Sequence, residues 1–157
     1  MYKFILIVLL FLSCVSSANA ETAVNDYSWC ALKSNKVNVR TGPGKRYPIK
    51  WVYQRVNLPL MKVAEYDNWI KIEDNEGTTG WVHPSMVSDK QTFMVIEDTV
   101  YLNKDASDNV RHIAKLEKGV IGDMVTCEGD LCKVKAGNWE GYVAKNSVWG
   151  NKKQNAK

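Results

Sequence analysis

The sequence predicts an all-β protein built as two small copies of one domain, and three observations carry that prediction. The chain repeats itself, it reads as many short strands between turn residues, and no window sustains a long helical apolar period. Gly80-Trp81-Val82 runs into His83-Pro84-Ser85-Met86-Val87, and Gly141-Tyr142-Val143 runs into Ala144-Lys145-Asn146-Ser147-Val148. Upstream, Trp69-Ile70-Lys71-Ile72 matches Leu131-Cys132-Lys133-Val134, and Val37-Asn38-Val39-Arg40 matches Val100-Tyr101-Leu102-Asn103. The offset drifts only from 63 (100 minus 37) to 61 (141 minus 80). A unit of that size, repeated once, leaves little chain for anything else.

The first residues read as an export signal. Lys3 is the positive start, Phe4 to Leu12 is an apolar run too short to span a bilayer comfortably, and Ala18-Asn19-Ala20 is a small-x-small cleavage site. An uncleaved anchor or a lipid on Cys14 fits these residues less well. Cleavage leaves 137 residues (157 minus 20), beginning at Glu21. The expected organisation is a signal peptide over 1–20, a loose polar leader over 21–28, domains over 29–89 and 90–150, and a disordered basic tail over 151–157. Domains of about 60 residues bury only about 60% of their unfolded surface, so packing of one copy on the other is expected.

Val37 and Val39 alternate with Asn38 and Arg40, as in a half-buried strand. Thr41-Gly42-Pro43-Gly44 turns the chain. Ile49 to Val56 is rich in β-branched and aromatic residues, and Asn57-Leu58-Pro59 interrupts it. Leu60 to Ala64, Trp69 to Ile72 and Thr79 to His83 supply further strands. Tyr66-Asp67-Asn68 and Asp74-Asn75-Glu76-Gly77 are the turns between them. The second copy follows the same order, with Lys104-Asp105-Ala106-Ser107 in place of the Gly-Pro-Gly loop. Short strands at this spacing form a small barrel or sandwich.

Charge divides by copy. Residues 29–88 carry nine Lys/Arg against five Asp/Glu, and residues 91–150 carry seven against nine, so the balances are +4 and −2. That is not the basic footprint of a nucleic-acid binder. It suggests that the first copy faces an anion, or the second copy. After cleavage three of the four cysteines remain. Cys127 and Cys132 flank Glu128-Gly129-Asp130, a turn-forming stretch, and export permits a disulfide between them. The competing metal site needs more ligands than two cysteines, and no tight Cys/His cluster accompanies them. Cys30 is then unpaired.

Val37-Asn38-Val39-Arg40-Thr41-Gly42-Pro43-Gly44, Tyr47-Pro48-Ile49, Trp69-Ile70-Lys71-Ile72 and Gly80-Trp81-Val82 together resemble the bacterial SH3-like domain family. The second copy keeps the strand pattern and the Gly-aromatic-Val ending. Cys127-Glu128-Gly129-Asp130-Leu131-Cys132 looks like the paired-cysteine hairpin of exported alphaproteobacterial members with two such copies. The resemblance implies two tandem SH3-like β-barrels that bind or target, often on peptidoglycan or its peptide cross-links. Recognition of Pro-rich helices is not implied, because Met86 and Ser147 stand where an aromatic contact residue is expected.

If Ile70, Ile72 and Val82 point to the core, Trp69 and Trp81 point away from it and offer a stacking platform. They equally suit a structural role at an edge of a small core. Arg40, Lys45, Arg46, Lys50 and Arg55 cluster around the first turn, where an Arg fork suits a carboxylate; a solvated basic face is the plainer account. Arg40, Tyr47, Trp69 and Trp81 are the ligand-binding candidates. No nucleophile with a base beside it is present, His83 reads as structural, and neither a phosphate-cradling loop nor a cofactor or metal site is found. The expected function is non-catalytic binding in the envelope, periplasmic or extracellular, with peptidoglycan as ligand through the first domain. A protein–protein adaptor docking an envelope protein is the alternative. Neither nucleic-acid binding nor stable membrane insertion after cleavage is expected.

Overall fold

The computed structural model describes residues 22–107 and 111–150. The expected signal peptide, including Cys14, and the expected basic tail lie outside the described residues. The chain is all-β. The first half forms β1 (Thr22–Leu32), β2 (Val37–Arg40), β3 (Ile49–Tyr53), β4 (Pro59–Tyr66), β5 (Trp69–Glu73), β6 (Thr79–Val82) and β7 (Val87–Ser88). The second forms β8 (Thr92–Val95), β9 (Thr99–Asn103), β10 (His112–Glu117), β11 (Ile121–Glu128), β12 (Leu131–Ala136), β13 (Trp139–Ala144) and β14 (Val148–Trp149). A single 3₁₀ turn precedes the last strand of each half, at Pro84–Met86 and Lys145–Ser147.

The two sheets share one topology. Hydrogen-bonded order runs β3-β2-β6-β5-β4-β1-β7 in the first and β10-β9-β13-β12-β11-β8-β14 in the second. The Gly-aromatic-Val ending has a steric cause in both. A Cβ at Gly80 would stand 2.3 Å from Val39 Cγ1, and one at Gly141 would stand 2.3 Å from the Asn103 carbonyl oxygen. Only a residue without a side chain lets β6 and β13 lie this close to β2 and β9.

The loose leader expected over 21–28 is not found from residue 22 onward. Thr22 pairs with Glu65 and Ala23 with Ala64, and a register shift before Ser28 lets the pairing resume at Lys62. Strand pairing is made by backbone groups, so a polar stretch pairs when a long neighbour such as β4 offers donors and acceptors.

Each half has its own core. Leu32, Val37, Val39, Leu60, Ile72 and Val82 are wholly buried in the first. Phe93, Val95, Leu102, Val134 and Val143 fill the second. The halves also interlock. Met94 of β8 belongs to the first core, with Ile96 and Ile121 packed against it. The Trp149 indole N–H donates to the Pro59 carbonyl at 3.2 Å, and its ring meets Trp29 edge-on at 4.9 Å. Arg55 donates to the Gly119 carbonyl.

Cys127 and Cys132 lie directly opposite each other on β11 and β12, with Cα atoms 4.0 Å apart, and are joined by a disulfide. Cys30 is free and 1% exposed, its Sγ 3.6 Å from the Leu60 carbonyl oxygen. Burial pushes its thiol from 9.0 up to about 12, which removes it from nucleophilic chemistry at ordinary pH.

Candidate functional site

Directly paired residues on antiparallel strands share a face. On the side of the first sheet away from its core, Arg40 pairs with Ile49 on β3 and with Trp81 on β6, and Trp81 pairs with Lys71 on β5. Beside that row, Asn38 pairs with Val52, and Trp69 meets His83 edge-on with ring centroids 5.7 Å apart. A bulge before Arg40 keeps Ile49 and Val52, three residues apart, on one face. These strands floor a cleft of about 410 Å³. Lys36, Arg40 and Lys45 bring cations to it, Trp69, His83 and Met86 bring ring and thioether surface, and Asn38 and Ser85 add polar edges.

Local chemistry holds each wall. Asp67, at φ 51°, makes the tight turn that returns β4 into β5 at Trp69. His83 caps the 3₁₀ turn, its Nδ1 accepting from the Ser85 backbone N–H, while Nε2 lies 3.2 Å from the Asn68 side-chain amide. The imidazole is therefore structural, as its sequence position implied, and also lines the cleft. Arg40 Nη1 donates to the Tyr47 carbonyl at 2.7 Å and to the Lys45 carbonyl at 3.1 Å. That pins the Gly-Pro-Gly loop and fixes the plane of the guanidinium, whose Nε and Nη2 hydrogens project elsewhere.

The four sequence candidates separate. Arg40 and Trp69 line one cleft, 29 positions apart in the chain (69 minus 40). Tyr47 does not line it. Its ring supports the loop from beneath: a Cβ at Gly42 would stand 2.5 Å from Tyr47 Cδ1, and the Arg46 guanidinium lies 5.1 Å from the ring centre. Trp81 does leave the core, as the alternation requires, and stands outside the core cluster. Yet it is only 6% exposed, with the Lys71 ammonium 5.8 Å from its ring centre. The expected Trp69/Trp81 platform is thus one half-buried ring on the cleft rather than two, because neighbouring side chains cover the middle of a sheet more than its rim. Lys36, Asn38, Ser85 and Met86 are cleft residues that strand alternation did not single out. The register of β2 against β6 was the missing signal, and it depends on pairing across strands far apart in sequence.

Among the described residues no group of three His, Cys, Asp or Glu side chains is placed to hold a metal ion. No helix there is long and apolar enough to cross a membrane.

The bacterial SH3 domain family matches the chain twice, at residues 33–89 and 97–150. No protein of curated function matches it significantly. Solved structures with a partial likeness include NlpC2 of Trichomonas vaginalis (TM-score 0.38, 7% identity, covering 81% of this chain and 49% of that one). NlpC1 of the same organism gives TM-score 0.38 at 6% identity, over 84% and 47%. An NlpC/P60 family protein from Bacillus cereus gives TM-score 0.35 at 12% identity, over 82% and 58%. The chain spans about half the length of these structures, and likeness at such scores carries no argument about activity.

Proposed function

Because the chain belongs to the bacterial SH3 domain family, we propose that it is an exported, non-catalytic binding protein of the cell envelope whose first copy takes peptidoglycan stem peptides. One observation supports this reading above the rest: the cleft sets Arg40, Lys36 and Lys45 beside the half-buried ring of Trp69. A stem peptide carries carboxylates on a short backbone with small apolar side chains. A guanidinium already oriented by two carbonyls meets a carboxylate with little further ordering, and an indole covers an apolar side chain or a sugar face. The N-terminal apolar run with its Ala-x-Ala site, together with the disulfide, supports export to a periplasmic or extracellular compartment.

The test is calorimetric titration of the exported protein with a soluble stem-peptide fragment at low and high salt. Trp69→Ala removes stacking area, and its loss persists at high salt. Arg40→Ala removes a charge-assisted hydrogen bond worth about 1.5–3 kcal/mol when desolvated, and the loss shrinks with salt if the contact is exposed, since the screening length falls to about 3 Å at 1 M. Wild-type affinity in both folded variants would remove the cleft from consideration.

A second reading has its own observation. One of the two end strands of the first sheet, β3, carries exposed Ile49 and Val52, at 47% and 37%. An exposed strand edge with apolar residues suits a protein partner, so recovery with one envelope protein and no retention on purified sacculi favours the adaptor.

A further inference from the structure

The same outer face exists on the second copy, with different chemistry. Asn103 pairs with His112 on β10 and with Tyr142 on β13, and Tyr142 pairs with Lys133 on β12. Tyr101 pairs with Lys115. The bulge is repeated as well, so His112 and Lys115 share this face as Ile49 and Val52 share the first. Position by position, Asn103 replaces Arg40, His112 replaces Ile49, Tyr142 replaces Trp81 and Tyr101 replaces Asn38. The cationic centre has become an amide, and rings now surround it.

The arrangement is ordered. Tyr101 is 50% exposed, with its ring tilted 31° over His112 at 4.5 Å between centroids. His112 Nδ1 donates to the Asn103 side-chain oxygen at 2.7 Å. In the neutral ring Nε2 is then left as an acceptor. Lys133 is held by Glu140 at 2.7 Å, and Lys115 stands at the outer end of its row. Leu131 and Ala144 occupy the places of Trp69 and His83, so one wall of the first cleft is missing and the face is shallower.

We infer that this face is a binding site for a neutral saccharide. An anionic ligand has no Arg at the centre, and the copy as a whole is net negative by two charges (seven basic against nine acidic, residues 91–150). A pyranose ring fits what is there. Its C–H face lies on the open side of the Tyr101 ring. Its hydroxyls meet an amide, a phenol and an imidazole acceptor within one shallow patch. The site does not depend on stem-peptide binding by the first copy.

The experiment is titration of the exported chain with a tetramer of N-acetylglucosamine, followed by calorimetry and by NMR of the aromatic side chains. Wild type binds saturably, with no loss of affinity at high salt. Tyr101→Ala weakens binding about tenfold or more, which corresponds to about 1.4 kcal/mol. Tyr101→Phe retains most of it, and Arg40→Ala leaves it unchanged. If Tyr101→Ala does not fold, His112→Ala is read by the same criteria. Absence of saturable binding by wild type, wild-type affinity in folded Tyr101→Ala, or loss on Arg40→Ala instead, overturns the inference. Failure of stem-peptide binding to the first copy leaves this titration unaffected, so the two proposals fail separately.

Discussion

One topology is filled in two opposite ways. In the first copy Cys30 on β1 lies opposite Leu60 on β4. In the second, Phe93 on β8 lies opposite Gly122 on β11 at the corresponding point. A small residue faces a large one in each, with the sizes exchanged between strands. Leu60 and Phe93 are both wholly buried. A Cβ at Gly122 would stand 2.3 Å from the Lys135 carbonyl oxygen and 2.5 Å from Phe93 Cε1, so the backbone of β12 and the ring of Phe93 both require glycine at that point. A barrel core constrains summed volume rather than the identity at one strand position. Two copies can therefore diverge in sequence while keeping one strand order.

This predicts an asymmetric response to truncation at one shared position. Phe93→Ala removes most of a wholly buried ring opposite a glycine that cannot fill the space, and should cost about 4 kcal/mol. Cys30→Ala removes one sulfur beside Leu60 and should cost about 1 kcal/mol. Urea unfolding of both variants against wild type measures the two values. Equal costs would show that the exchange of sizes does not govern the cores.

The next largest difference lies in the hairpin after the fourth strand of each copy. In the second copy, Cys127 and Cys132 close it covalently, and in the first the corresponding opposite pair is Glu65 and Ile70. Closing a six-residue loop contributes about 2 kcal/mol in the chain-entropy description. Replacing both cysteines by alanine should lower stability by about that amount, and a reducing agent should do the same to wild type while leaving the double variant unmoved. If reduction shifts the variant as well, another group is responsible.

Much of this architecture is legible in the chain, and the illegible parts share a cause. Short-range signals carry the strands, the turns at Asp67 and Asp74–Gly77, the disulfide and the paired glycines. The internal repeat carries the two-copy plan. What pairing across distant strands decides is not legible. The extension of β1 back to Thr22 depends on the length of β4. The covering of Trp81 depends on Arg40 and Lys71 to either side of it. The joining of Arg40 and Trp69 in one cleft depends on the register of β2, β6 and β5. Alternation gives the face on which a side chain sits, not the neighbours that shield it there.

The smallest expected effect separates the copies by pH. Cys30 is a free buried thiol in the first copy, whereas both cysteines of the second are oxidised and do not titrate. Burial raises the Cys30 thiol from 9.0 to about 12 in the folded chain. A group raised on folding contributes stability that is fully present below its unfolded value and is lost as pH climbs through the folded one. The relevant window is therefore pH 9 to about 12. By pH 10 the unfolded thiol is mostly ionised while the folded one is not, a loss of about 1 kcal/mol. Tyr53 acts in the same direction, its phenol raised first by burial and then by donation to Asp74 at 2.7 Å, so wild-type slope alone cannot assign the effect. Comparison with Cys30→Ala does. Its deficit relative to wild type should shrink by about 1 kcal/mol between pH 8 and pH 10, because the variant has no thiol to ionise on unfolding. Parallel stability curves over that interval would mean that Cys30 is solvated in the native state and that the first core is looser around it than the second is around Phe93.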